Sequence, residues 1–169
     1  TNTSGMNSSD FFISMNDNMK EMLNRYRINY KNLVQSKLPP NLSKYIKKGI
    51  VYLNELDCYS FKHNLNFQPV YDDSSWDENF NNKIWVDKRP DPAKSLRICL
   101  NFIFRLAQML KQYPKKFKIV MSIHDDDNES VITFYCVRPS EPIEEDLDSY
   151  LEAIFVLTTK ADECNKYRL

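Results

Sequence analysis

The chain is 169 residues long, 42% hydrophobic and 27% charged, which suits one domain able to bury a core without metal or disulfide staples. Its two glycines, Gly5 and Gly49, exclude the dinucleotide fingerprint, the phosphate-binding P-loop and the glycine-flanked serine elbow, each of which needs several glycines close together. Formal net charge is +0, yet residues 1–121 hold 19 Lys/Arg against 11 Asp/Glu while residues 122–163 hold 2 against 12, so a basic part is followed by an acidic one.

In chain order, residues 1–8 carry almost no apolar content and read as a disordered or vector-derived end. From Asp17 to Ser36, Met19, Met22, Leu23, Tyr26, Tyr30, Leu33 and Val34 recur in steps of three and four, which predicts a helix stopped by Pro39 and Pro40. Asn41 or Ser43 can cap a second helix that carries Leu42, Tyr45 and Ile46 and extends to Tyr52 and Leu53; Gly49 and β-branched Ile50-Val51 weaken that reading, and a helix to Lys48 followed by a strand near 51–61 is the competing one. Residues 62–82, rich in Asn, Asp and Ser around Pro69, read as a long loop, followed by a short strand at Lys83–Val86. Asp91-Pro92 is a strong helix start, and Leu96, Cys99, Leu100, Ile103, Leu106, Ala107 and Leu110 mark the buried stripe of a long helix to about Gln112. Phe117, Ile119, Met121 and Ile123 then alternate with polar or smaller partners, Val131–Val137 is β-branched and aromatic, and Ala153–Thr158 gives a third strand.

These elements predict an α+β domain over residues 9–160, with N-terminal helices and one long central helix packed on a C-terminal antiparallel sheet, and a flexible tail at 161–169. Cys58, Cys99, Cys136 and Cys164 lie too far apart for the close ligand pairs of a zinc site and are expected as free thiols. No apolar signal segment opens the chain, and the apolar run from Leu96 to Leu110 is broken by Arg97, Asn101 and Arg105; a cytoplasmic protein with no membrane partner is expected.

No constellation names a catalytic chemistry, so no enzyme, cofactor or metal is expected. Asp125-Asp126-Asp127-Asn128-Glu129 resembles half of a calcium loop but lacks the central glycine and the distal glutamate. His124 beside it reads as a strand-end residue, and Glu141, Glu144, Glu145 and Asp148 have no apolar pocket to separate their pKa values. Lys44–Lys48 and Lys115-Lys116-Phe117-Lys118 lack a recognition helix or stacking motif, so no nucleic-acid partner is expected. Acidic segments attract basic protein surfaces, and Trp76 and Trp85, flanked by Tyr71, Asp72, Asp73, Asp77 and Phe80, add aromatic anchors among acids. The bland alternatives are solvated acidic turns and core tryptophans.

The stretch Ser130–Leu157 carries a strand, then Arg138-Pro139, Glu141, Asp146-Leu147-Asp148, Tyr150 and Glu152-Ala153 before a closing strand. This pattern resembles the C-terminal part of small bacterial immunity proteins of polymorphic-toxin and contact-dependent growth-inhibition systems. Ile143 stands where that pattern has Trp, and Ser149 replaces a small Gly. The resemblance implies a scaffold without an active site that binds and neutralises a cognate secreted toxin domain. Together with the acidic segment it directs attention to Asp72, Asp73, Trp76, Asp77, Glu78, Asp125, Asp126, Asp127, Glu129, Glu141, Glu144 and Glu145 as partner-binding residues. The competing expectation is a secretion chaperone or adaptor that binds an effector protein.

Overall fold

The computed structural model describes residues 11–64, 66–88, 90–124, 128–140, 143 and 146–160. Its elements are β1 (Phe11–Met15), α1 (Asp17–Arg25), α2 (Pro40–Lys48), β2 (Ile50–Leu53), β3 (Cys58–Phe61), α3 (Ser74–Asn81), β4 (Ile84–Asp87), α4 (Pro92–Leu110), β5 (Phe117–Ile123), β6 (Glu129–Cys136) and β7 (Ala153–Thr159). The α+β class holds: four helices accompany a five-stranded antiparallel sheet in the order β1-β7-β5-β6-β4, with β2 and β3 forming a separate hairpin.

The helix α4 starts as its sequence dictates. Asp91 accepts a hydrogen bond from the Lys94 N–H at 3.1 Å, and Pro92 takes a first-turn position that needs no donor. The whole expected stripe is buried, and Phe102 and Phe104 extend burial around the helix. Leu100 is fully enclosed, so Leu100→Ala should lower the unfolding free energy by about 2–5 kcal/mol in a urea titration. A loss under about 0.5 kcal/mol would place the stripe on the surface.

In the sheet, Ile119 lies opposite Phe134 on β6 and opposite Leu157 on β7, so one face collects the apolar residues of all three central strands. Phe11 of β1 meets Phe104 of α4 on that face, ring centroids 6.2 Å apart. The hairpin β2–β3 is fastened beside it by aromatic contacts, Phe61 to Phe134 at 4.8 Å and Tyr59 to Phe117 at 5.0 Å.

Several expectations need correction. The sheet is not confined to the C-terminal part, because β1 and β4, which both precede α4, supply its two edges. The helix expected over 17–36 stops at Arg25: Arg27 adopts φ +56°, its N–H bonds to the Asn24 carbonyl, and the Ile28 N–H reaches back to the Leu23 carbonyl at 2.9 Å. Those are the two bonds of a Schellman ending, and Leu23 and Ile28 bury the apolar contact that accompanies it. Pro39, rather than Asn41 or Ser43, holds the capping position of α2, and Gly49 at φ +80° turns the chain straight into β2. The second helix therefore does not reach Tyr52 and Leu53, and the single strand of the competing reading near 51–61 is a hairpin, with Tyr52 opposite Tyr59 and Asp57 at φ +50° in its turn. Residues 62–82 are not one loop, since they contain α3. Among the described residues no helix is long and apolar enough to cross a membrane.

Candidate functional site

The helix α3 has an inverted pattern. Asp73 caps it by accepting from the Trp76 N–H at 3.1 Å, yet the side chains it turns inward are polar: Ser75, Asp77, Glu78 and, just past its end, Asn82. The reason lies in what the helix faces. It packs against β3 and β6, two strands in different sheets whose backbone groups need partners. Glu78 accepts from the Tyr59 N–H at 2.7 Å and from the Cys136 N–H at 2.8 Å. Asn82 accepts from the Phe61 N–H and donates to the carbonyls of Tyr59 and Phe134. Ser75 donates to the Cys136 carbonyl at 3.2 Å. The side chains of α3 thereby perform the work of a missing strand between the two sheets.

Arg138 completes this junction. Its Nη1 donates to Glu78 Oε1 at 2.5 Å and its Nη2 to Oε2 at 2.9 Å, a two-pronged pair, while Nη2 also reaches the Asp57 carbonyl at 2.8 Å. Burial pushes the Glu78 carboxyl up from its ordinary value; the guanidinium and the two strand amides pull it back down.

With the polar side chains inside, the apolar ones point to solvent. Trp76 is 41% exposed, Phe80 45%, Tyr71 47% and, on β4, Trp85 57%. Tyr71 lies 6.3 Å from the Trp76 ring and 6.1 Å from the Phe80 ring. It is held there because Asp77 accepts from the N–H groups of Val70 and Tyr71, while Asn81 exchanges two hydrogen bonds with the Gln68 backbone. Phe80 and Trp85 then flank a groove of about 600 Å³ that Tyr45, His63 and Lys83 also line. Lys83 places its ammonium 5.9 Å from the Phe80 ring centroid. His63 packs edge-to-face with Tyr45, ring centroids 4.9 Å apart, with its Nδ1 enclosed and unpaired, and its proton affinity is lowered by burial and by Lys44 and Lys48. The result is a continuous aromatic ridge, Trp76 to Tyr71 to Phe80, ending at the Trp85 groove.

The expected partner-binding residues separate into three groups. Asp72 is exposed and Asp73 half-buried at the start of the ridge, next to Trp76. Asp77 and Glu78 are both buried and occupied by internal hydrogen bonds, which hold the ridge from beneath. Glu129 is exposed opposite Asp87 at the far end of β4, and Asp125, Asp126, Asp127, Glu141, Glu144 and Glu145 lie outside the described residues. Both tryptophans are on the surface, not in the core. The groove residues His63 and Lys83 were not foreseen; the signal for the ridge was the i, i+4 spacing of Trp76 and Phe80 behind a capping Asp73.

The remaining chemistry is quiet. Burial pushes the Cys99 thiol up to about 12 and those of Cys58 and Cys136 to about 11, so all three stay protonated at neutral pH. Cys164 lies outside the described residues. No group of three or more His, Cys, Asp or Glu among the described residues could hold a metal ion. The Asp146–Tyr150 segment forms a short 3-10 turn that Asn16 ties down by donating to the carbonyls of Leu147 and Glu152, which gives that motif a structural task.

No curated protein and no solved structure matches the chain. Residues 14–167 match a family description, a span that includes α3, the ridge, Arg138 and all three central strands of the sheet. With all but the two ends of its sequence inside that match, the chain belongs to the Uncharacterized protein PM0498 family.

Proposed function

We propose that this chain is an immunity protein, which docks on a cognate toxin domain in the cytoplasm and occludes its surface without a catalytic residue, cofactor or metal of its own. The observation that supports this reading best is the aromatic ridge of Tyr71, Trp76, Phe80 and Trp85, which the fold turns outward and holds in place from beneath. Aromatic anchors on a rigid support supply most of the energy of a protein interface. Asp72 and Asp73 supply an acidic rim beside Trp76, and the acidic segment of residues 122–163 steers a basic toxin toward it.

The test is co-expression with the toxin domain encoded beside this gene, scored by cell survival and co-purification. Trp76→Ala and Phe80→Ala should each weaken binding by about 2 kcal/mol or more and leave the circular dichroism spectrum unchanged. Reversing Asp125, Asp126, Glu144 and Glu145 to Lys should slow association and flatten its salt dependence. Full protection by the ridge variants would refute the assignment of the ridge. A secretion chaperone or adaptor could use the same face, but it would not rescue cells from a toxin, so survival separates the two readings.

A further inference from the structure

We infer that the free edge of β1 is a docking site for an extended, acidic segment of a partner polypeptide, which would add to the sheet as a sixth strand. This surface lies at the opposite edge of the sheet from β4 and does not depend on the function proposed for the ridge.

The pairing phase shows which backbone groups are open. The Asn16 N–H donates to the Ile154 carbonyl at 3.2 Å, in register with the β1–β7 ladder, so Phe12 and Ser14 also turn their backbone groups toward β7. Phe11, Ile13 and Met15 therefore direct theirs away from the sheet. Among the described residues, no hydrogen bond reaches the outward backbone groups of Ile13 and Met15. The other edges are partly covered: Ser95 Oγ donates to the Asp87 carbonyl of β4, Tyr113 Oη donates to the Ile50 carbonyl of β2, and Glu78 and Asn82 cover the exposed run of β6.

Beside the open edge lies a groove of about 790 Å³, lined by Ile13, Met15, Leu23, Ile28 and Tyr30, among others. The Tyr30 ring packs edge-on against Phe155 at 5.9 Å, so this wall is braced against the sheet. An added strand would satisfy the outward groups of Ile13 and Met15 and direct alternate side chains onto the apolar wall.

Charge selects the occupant. Lys20 and Lys31 line the groove and, among the described residues, no carboxylate does. Asp17 meets Lys20 at 3.8 Å as an exposed pair that a partner carboxylate can replace. A second copy pairing through β1 would instead bring like charges together, two Lys20 and two Lys31.

The test is fluorescence anisotropy of the full chain with a short, end-blocked peptide alternating glutamate and valine. Comparators are a lysine-valine peptide and a glutamate-valine peptide N-methylated at alternate residues. Binding of the first alone is expected, with affinity falling about tenfold or more in Lys20→Glu/Lys31→Glu. Ile13→Pro should abolish it, since proline removes an outward N–H that β7 does not use. The N-methylated probe makes the same test without altering the protein. The proposal is overturned by no binding, by equal binding of the lysine-valine peptide, or by indifference to N-methylation. It also fails if sedimentation shows a wild-type dimer that Ile13→Pro dissociates, because the edge then belongs to a second copy.

Discussion

Arg138→Met should lower the unfolding free energy by about 3–5 kcal/mol at neutral pH, because it leaves the fully enclosed Glu78 carboxylate without its counter-charge. Among the described residues, the groups that hydrogen-bond to that carboxylate are two strand amides and the two prongs of the guanidinium, all of them donors. Without the guanidinium, the burial that already pushes Glu78 above 4.5 acts with less opposition. The sign of the pH effect follows. A carboxyl with a raised folded pKa contributes stability that is fully present below the unfolded value and is lost as pH rises through the folded one. The urea midpoint of Arg138→Met should therefore recover relative to wild type as pH falls toward about 4.5. A deficit that is independent of pH would mean that Arg138 acts through packing alone. Adding Glu78→Leu should not restore wild-type stability, since the Tyr59 and Cys136 amides would then be buried without acceptors, at about 1–3 kcal/mol each.

Phe134→Ala should cost about 3–5 kcal/mol. Phe134 is fully buried on β6 and contacts the rings of Phe61 and Phe117 at 4.8 Å and 6.3 Å. It is the point where the β2–β3 hairpin joins the main sheet, so its removal opens a cavity between two parts of the fold and forfeits aromatic contacts as well as burial. Urea titration gives the total. Hydrogen exchange should localise the loss, with the amides of Tyr59 and Phe61 deprotected more than those of β5 and β7. Uniform deprotection would show that the hairpin and the sheet unfold as one unit.

The contrast between α4 and α3 explains how much of this protein is legible in its sequence. Periodicity detects elements that bury apolar residues on one side. The helix α4 does this with Leu96, Leu100, Ile103 and Leu110, and β5 does it with Phe117, Ile119, Met121 and Ile123. The helix α3 buries Ser75, Asp77 and Glu78 and exposes Trp76 and Phe80, so the same test finds only a polar loop. Nothing local announces that two strand edges will lie beside it and require acceptors. Arg27 is a comparable case: an arginine at φ +56° ends α1 although the apolar spacing continues to Val34.

The candidate site divides along the same line. Composition and spacing singled out Asp72, Asp73 and the two tryptophans, and the structure gathers Asp72, Asp73, Trp76 and Trp85 with Tyr71 and Phe80 on one surface. Charge counting gave Asp77 and Glu78 the same standing as their neighbours, because it cannot distinguish a carboxylate facing water from one facing backbone amides. By itself the sequence determined the α+β class, the long helix with its cap and core stripe, and the three central strands, since local spacing and burial agree there. Only the tertiary structure decided that β1 and β7, more than a hundred residues apart, share an edge, and that α3 turns its aromatic face outward. Both outcomes follow from satisfying backbone hydrogen bonds between distant strands, a requirement that no single segment carries alone.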